Sequence, residues 1–256
     1  MPAERIPQHT GPVAAARRRR LRADRARQLA DLLRHQVLAG RFPHGVLPHE
    51  EVIGTEFAAS RNTVRQALDL LRAEQLVERQ PGVGTVVVCQ KYPHGLDRLM
   101  GLAETLHSHG RVTNEVRTIS PVAAPTPVAD RLRLPPRSEV LYVERLRRLD
   151  GVPLSLDLTY IPMGVGLPLL DADLENNDVF QLIEDTTGQP LGTAEITLEA
   201  VSADAHSAAV LEAPRGAAVL MLERLTHLAD GCPVDLEFIR FRGDRITMQG
   251  LLRRMR

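Results

Sequence analysis

The sequence predicts an α+β protein of two domains, and three observations support this. Residues with helical spacing fill the first third of the chain and lead into a short β-hairpin with glycines at its tip. The remainder alternates short strands with turns. Within that remainder, one strand–turn–strand segment occurs twice. A helical front domain followed by a domain built on an antiparallel sheet is therefore expected.

The composition is that of an ordinary globular protein. Of its 256 residues, 43% are hydrophobic and 25% are charged, which fits one or two domains. No apolar run approaches the roughly 18–20 residues that cross a bilayer, and the N-terminus lacks the layout of a secretory signal. Cys89 and Cys232 lie far apart and predict two free thiols in a reducing cytoplasm.

The formal net charge of zero conceals an asymmetry between the two halves. Residues 1–90 hold 14 Arg and 9 acidic residues, net +5, whereas residues 91–256 hold 18 basic and 23 acidic residues, net −5. A basic front half favours a polyanionic partner. Residues 1–23 are rich in Arg, Ala and Pro without an apolar period, and predict a disordered basic arm that is either solvated or in non-specific contact with phosphates.

Residues 24–88 predict three helices and a hairpin. Apolar residues recur at helical spacing from Asp24 to Ala39, and a short second helix follows the turn "GRFPHGVLP". Ser60 is a suitable N-cap for a third helix, in which the apolar residues from Val64 to Leu71 share one face. The segment "LVERQPGVGTVVV" then predicts two strands joined by a glycine-containing turn.

The third helix carries a polar face near its N-terminus. Arg suits guanine, whereas Asn and Gln suit adenine. A polar helix face by itself is usually a solvated surface, but helix, helix, capped helix and glycine-tipped hairpin is the order of a winged helix-turn-helix. We therefore predict contacts to double-stranded DNA from this helix. The candidate residues are Arg61, Asn62, Thr63, Arg65 and Gln66.

Residues 25–88 resemble the GntR family of bacterial repressors. "SRNTVRQALDLLRAEQLVERQPGVGTVVV" is similar to the family signature "SRTTVREAL…L…G.GTFV", and "LPHEE" is similar to its "LPSER". The resemblance implies helix contacts from Arg61, Thr63 and Arg65, and a wing that is laid against DNA at its tip. The implied wing residues are Gly82, Gly84 and Thr85. This chain departs from the family at helix two, where His49 and Glu51 replace the serine and the basic residue.

After a predicted linker at residues 89–95, residues 96–256 contain the internal repeat. "VLYVERLRRLDGVPLSLDL" at 140–158 returns as "VLMLERLTHLADGCPVDLE" at 219–237, with one residue inserted before the Asp-Gly turn. Each copy predicts a β-hairpin. Two related hairpins can pair into one antiparallel sheet, with helices on one side.

This half resembles the UTRA domain of the HutC branch of the GntR family. The similar segments are "ERLRRLDGVPLSLDLTYIP", "VFQLIEDTTGQPLGTAEITLEA" and "LERLTHLADGCPVDLEFIRFRGDR". The resemblance implies a fold like that of chorismate lyase and a homodimer. It also implies a small, often phosphorylated or anionic, effector that releases a repressor from a palindromic operator. Where many relatives have a hydroxyl-rich "SFTE", residues 101–104 read "GLAE", which leaves a carboxylate, a nucleobase derivative or a larger effector open.

Arg145 and Arg147 are the first candidates for effector binding. They lie two apart on one strand and so point to one face, and guanidinium groups suit carboxylate or phosphate. A cross-strand ion pair is the structural alternative. By resemblance the candidate set is Arg145, Arg147, Asp157, Tyr160, Asp235 and Phe241. Arg224 repeats Arg145 and is expected to be structural, and His94 is expected at the surface.

No catalytic or cofactor motif is present in the sequence. P-loop, dinucleotide, HExxH and CxxC patterns are all missing, so we predict no metal, no cofactor and no enzyme activity. Two alternatives to an effector-responsive repressor stay open. One is an enzyme like chorismate lyase in the back half; the other is a DNA-binding protein that responds to no effector.

Overall fold

The computed structural model describes residues 12–88 and 91–254, and for residues 12–22 it describes the backbone only. The chain divides into two compact units, Met1–Gln90 and Lys91–Arg256. Among the described residues, no helix is both long enough and apolar enough to cross a membrane.

The first unit is a winged helix-turn-helix, as predicted. Its apolar core joins all three helices to the start of the hairpin. The strands of the hairpin pair in register from Val77 opposite Val87 to Gln80 opposite Gly84. The elements are α1 Pro12–Leu38, α2 Glu50–Glu56, α3 Arg61–Ala73, β1 Val77–Gln80 and β2 Gly84–Val87.

Helix α1 is longer than predicted. It begins at Pro12, whereas the sequence favoured a disordered arm over residues 1–23 and a helix from Asp24. The prediction of disorder is therefore wrong for residues 12–23, and residues 1–11 lie outside the described residues. Ala and Arg are strong helix formers, so a helix anchored by its buried part can extend through them without an apolar period.

The second unit is built on a six-stranded antiparallel sheet with strand order β4-β5-β6-β9-β8-β7. The two repeated segments form the hairpins β5–β6 and β8–β9, which meet where β6 pairs with β9. Asp150 and Gly151 hold positive φ angles of 47° and 80° in the predicted Asp-Gly turn. The large strands are β4 Val112–Ala123, β5 Glu139–Leu149, β6 Val152–Pro162, β7 Leu191–Ser202, β8 Ala218–Leu228 and β9 Pro233–Arg242.

Helices cover both faces of this sheet, so the prediction of helices on one side is wrong. Apolar clusters form against α6, α7 and α4 on one face, and against α5 and α8 on the other. Strand β5 is buried almost throughout, which is typical of a strand whose two faces are both covered by helices. The helices are α4 Leu102–Leu106, α5 Thr126–Arg131, α6 Met163–Leu169, α7 Val179–Thr187 and α8 Ala205–Val210.

The predicted linker is partly a strand. Tyr92–Gly95 forms β3, which pairs in parallel with β10, Ile246–Gln249, near the end of the chain. Residues 89 and 90 of the predicted linker lie outside the described residues. The strand escaped prediction because its four residues contain a proline and a glycine, and its partner lies some 150 residues away along the chain.

Candidate functional site

A groove on the first unit brings the start of α3 together with the wing. Its volume is about 460 Å³, and it is lined by the loop before α2, by Arg61 and by the wing residues Gly84 and Thr85. The Nε atom of Arg61 lies 3.7 Å from Glu50 Oε2, and most of its side chain is exposed. Arg79 lies directly opposite Thr85 in the hairpin and lines the same groove. The guanidinium groups of Arg61 and Arg79 therefore flank the backbone of the wing at Gly84 and Thr85, which could approach the phosphate backbone of a nucleic acid closely.

The polar residues of α3 form two parallel rows. Arg61 and Arg65 are four residues apart, and so are Asn62 and Gln66; all four are exposed. The second row borders another groove, of about 730 Å³, whose far wall is α1 with Arg25. Among residues 12–88, no carboxylate pairs with Arg65. Helix α3 is thus a polar ridge between two grooves, a shape that fits the major groove of DNA.

Thr63 differs from its neighbours because its side chain is 8% exposed. The Ser60 Oγ atom accepts a hydrogen bond from the Thr63 backbone N–H at 3.3 Å and lies 2.8 Å from Thr63 Oγ1. The predicted N-cap at Ser60 is confirmed. Thr63 belongs to this cap, and the structure does not place it in either exposed row.

The second unit contains a buried polar layer on the sheet face that α4, α6 and α7 cover. It lies between the two apolar clusters of that face. Burial of so many polar groups is costly unless each has a partner or a function. The layer consists of Asn114, Arg145, Arg147, Ser155, Asp157, Thr159, Arg224, Thr226, Asp235 and Glu237.

Arg147 is bound on every side by the chain's own oxygen atoms. Its Nε donates to Asn114 Oδ1 at 3.0 Å, its Nη1 to Asp157 Oδ2 at 3.3 Å and its Nη2 to Asp178 Oδ2 at 3.0 Å. Burial lowers the pKa of Arg147, but the carboxylates of Asp178 and Asp157 raise it by more than burial lowers it. The net effect is a pKa above the ordinary value of arginine. Arg147 is therefore a paired cation.

Arg145 is fully buried, yet none of its three guanidinium nitrogens has a hydrogen-bond partner among the described residues. It stands opposite Asp157 in the ladder between β5 and β6. Burial, followed by repulsion from Arg147, lowers the pKa of Arg145. A desolvated guanidinium with five unused N–H groups is suited to an acceptor supplied from outside the chain.

The second hairpin repeats this cross-strand placement of an arginine opposite a carboxylate, with Arg224 opposite Glu237. Arg224 Nε donates to Glu237 Oε2 at 2.8 Å, and the guanidinium carbon lies 4.4 Å from the centre of the Phe180 ring. Arg224 stands opposite Glu237 as Arg145 stands opposite Asp157. The expectation of a structural role for Arg224 agrees with this pairing.

The two repeats differ at a second pair of positions. Arg147 stands opposite Ser155 in the first hairpin, and Thr226 opposite Asp235 in the second. Asp235 is fully buried, and neither of its carboxyl oxygens has a hydrogen-bond partner among the described residues. Burial, and then repulsion from Glu237, raises the pKa of Asp235 well above its ordinary value. This carboxyl group is therefore suited to holding a proton and donating it in a hydrogen bond.

Asp178 enters the layer from the start of α7. Its carboxylate accepts no hydrogen bond from the helix that it precedes, and it contacts Arg147 instead. The space for it is provided by Gly101, where an added Cβ atom would lie 2.0 Å from Asp178 Oδ2. Although burial raises it, Arg147 and then Arg145 hold the pKa of Asp178 below its ordinary value, so the carboxylate is ionised at neutral pH.

A cavity of about 280 Å³ borders the layer at Arg224 and His94. Its walls are the segment 94–100 and strands β7 and β8. His94 is 5% exposed, so its predicted position at the surface is wrong. Burial, followed by Arg224 and Arg147, lowers the pKa of His94 to about 4. A neutral imidazole therefore stands at the border between the cavity and the charged layer.

Comparison with known proteins agrees with both units. Residues 25–87 match the family described as bacterial regulatory proteins, gntR family, and residues 107–247 match the UTRA domain. The chain belongs to the GntR family. Like the other GntR regulators with a UTRA domain, it is a DNA-binding transcriptional regulator whose second unit binds a small-molecule effector.

The relatives of this GntR-family chain are regulators. The repressor NagR of Bacillus subtilis is 29% identical over 86% of this chain and 91% of its own length. MngR of Escherichia coli, the repressor of a mannosyl-D-glycerate transport and metabolism system, is 30% identical over 66% of this chain and 71% of its own. The crystal structure of PhnF from Mycobacterium smegmatis superposes with a TM-score of 0.65 at 27% identity, over 88% of this chain and 98% of that one.

The structure separates two of the six predicted effector residues of this GntR-family chain from the rest. Tyr160 lies on the opposite face of the sheet, where its ring packs 5.2 Å from Tyr142 and 6.4 Å from Phe238. Successive strand residues alternate faces, so Tyr160 cannot share a face with Asp157. Phe241 is on the correct face, but it belongs to the apolar cluster at α4 and packs 5.9 Å from the His94 ring.

Several polar residues of the first unit's groove and of the second unit's layer were missed by sequence reasoning. Glu237 had a signal, since it repeats Asp157 and is opposite Arg224. Arg79 had one too, because counting back from the wing turn places it opposite Thr85. Asn114 and Asp178 had none, since they reach Arg147 from distant parts of the chain.

Proposed function

We propose that the protein is a repressor that binds a palindromic operator as a homodimer and leaves it when a small metabolite with an anionic group binds the second unit. The observation that carries the proposal is the pair of exposed polar rows on the capped helix α3. The relatives NagR and MngR, both named as repressors, support repression. The setting proposed is the cytoplasm, at the nucleoid.

In this proposal the two rows of α3 read bases and the wing holds the backbone. Arg61 and Arg65 suit guanine, whereas Asn62 and Gln66 suit adenine. The wing tip, with Gly82 and Gly84 at positive φ angles of 78° and 121° and with Thr85 beside them, would approach the backbone and the minor groove. Glu51 is exposed beside the groove, so helix α2 would add repulsion at phosphates where the family pattern has a basic residue.

For the second unit we propose that the buried polar layer is the effector site. Arg145 would meet the anionic group, because Arg147 already has three partners of its own. Asp157 would hold Arg147, and Asp235 would contact a polar group of the ligand. The names of the relatives support binding without chemical conversion, and recovery of the bound ligand unaltered would test this.

The first test is selection of the operator. Full-length protein incubated with random DNA duplexes should enrich a site with two-fold symmetry, because a dimer places two copies of α3 on equivalent half-sites. Half-site spacing near one helical turn is expected, and sequencing the bound fraction measures it. Enrichment of an asymmetric single site, or no enrichment over bulk DNA, would contradict the proposed function.

The second test is the oligomeric state. Strand β7 is an edge strand of the sheet, and it is exposed along most of its length; Ile196 is 44% and Leu198 37% exposed. Long exposed edge strands carrying apolar side chains are usually covered. We expect the full chain and residues 91–256 alone to sediment as dimers at micromolar concentration. A monomeric second unit would place the interface in the first unit.

A further inference from the structure

The polar layer has enough carboxylates of its own to neutralise its arginines. Arg145, Arg147 and Arg224 face four carboxyl groups, those of Asp157, Asp178, Asp235 and Glu237. With Asp235 protonated, as its raised pKa favours, the three positive charges and the three remaining negative charges sum to zero. A dianion brought into such a desolvated layer would leave two negative charges without cations, which is unfavourable where water is excluded.

Only one guanidinium in the layer has unused hydrogen-bond donors on all three of its nitrogens. Arg147 donates to three side chains, and Arg224 is paired with Glu237. Arg145 is fully buried without such a partner. A phosphate has three terminal oxygens and is normally held by several cationic or N–H donors together, whereas one guanidinium fork matches one carboxylate.

Asp178 lies where an external anion would otherwise contact Arg147. It leaves the start of α7 uncapped by its side chain and extends into space that a side chain at residue 101 would occupy. This arrangement requires glycine at 101, since a Cβ atom there would meet the Asp178 carboxylate at 2.0 Å. The two residues together fill the position beside Arg147.

We propose that the Asp178 carboxylate fills the anion position beside Arg147, so that the effector of this protein carries no phosphate and presents a single carboxylate to Arg145. This inference rests on the proposed function, because it assumes that the polar layer is the effector site. It narrows the anionic group of that proposal to a monoanion.

The first experiment measures binding of inorganic phosphate to the full-length protein by calorimetry, without DNA. We expect no saturable binding to the wild type, and saturable binding at least about tenfold tighter to Asp178→Ala and Asp178→Ser, because both remove the carboxylate that accepts from Arg147 Nη2 and empty its position. Asp185→Asn is the matched control, since Asp185 is exposed on the same helix and accepts a hydrogen bond from Gln181 on its own helix. Phosphate binding by the wild type equal to that of the variants would overturn the proposal, and so would folded variants that gain none.

A second measurement keeps the proposal testable if the Asp178 variants are poorly stable. Gly101→Ala should lower the melting temperature of the wild type, and the same change should cost little in the Asp178→Ser background, where the carboxylate is gone. Equal losses in both backgrounds would show that the carboxylate does not occupy this space, and would overturn the proposal. Neither measurement involves DNA, so their failure is distinct from failure of the proposed repressor function.

The carboxylate half of the proposal is tested with matched ligand pairs in a release assay. Gluconate is compared with glucose phosphate, and glycerate with glycerol phosphate, for stabilising the protein and for releasing selected operator. We expect any member that acts to be the carboxylate. Release of the wild type by a phosphate ester, with its carboxylate partner inactive, would overturn this half.

Discussion

Replacing Arg65 by alanine is expected to weaken binding to the selected operator by about 1–3 kcal/mol, a loss of roughly tenfold to a hundredfold, while binding to bulk DNA changes much less. Arg65 is exposed on the α3 ridge and has no carboxylate partner among residues 12–88, so its guanidinium is available for a bidentate base contact. Fluorescence anisotropy with selected and scrambled duplexes measures both affinities at one salt concentration.

The matched control is Arg72→Ala on the same helix. Arg72 pairs with Asp69 and lies two turns beyond Arg65, away from the N-terminal end that we propose enters the major groove. Its removal should leave specific binding within the error of the measurement. If Arg65→Ala combined with Arg61→Ala still binds the selected operator like the wild type, α3 does not read the DNA and the assignment of the ridge fails.

The contacts of the first unit could be predicted because they are local. The N-cap at Ser60, the apolar stripe of α3 and the glycines of the wing are all set by residues close together in sequence. The burial of Thr63 was not predicted, since the third residue of a helix can turn its hydroxyl toward the cap or toward solvent with similar spacing. The helical state of residues 12–23 depended on propensity, which apolar periodicity does not reveal.

The site of the second unit was only partly predictable, for a different physical reason. Strand alternation let the sequence place Arg145 and Arg147 on one face, and the same alternation should have excluded Tyr160. The partners of Arg147, however, come from β4 and from the start of α7, and His94 comes from a strand paired with the end of the chain. Such long-range packing decides which arginine is paired and which has unused donors.

That difference leads to opposite expectations for the two neighbouring arginines. Arg147→Met should lower the free energy of unfolding of the second unit by about 3–5 kcal/mol, because it leaves the buried Asp157 and the partly buried Asp178 without their cation. Arg145→Met removes a buried guanidinium that has no hydrogen-bonded partner within the described part of the chain, so stability should stay within about 1 kcal/mol of the wild type or rise. Urea unfolding followed by circular dichroism measures both.

The variant that is expected to keep its stability, Arg145→Met, is the one expected to lose its response to the effector. Arg145→Met is expected to bind operator normally and to lose release by the effector, because an effector acts only through its different affinity for the two states of the protein. Arg215→Met, at an exposed position, is the control for loss of an arginine and should respond like the wild type. A stable Arg145→Met protein that is still released at wild-type effector concentrations would show that Arg145 is not the anion contact. The polar layer would then be a structural network, and the effector would have to bind elsewhere, with the cavity at His94 and Arg224 the next place to test.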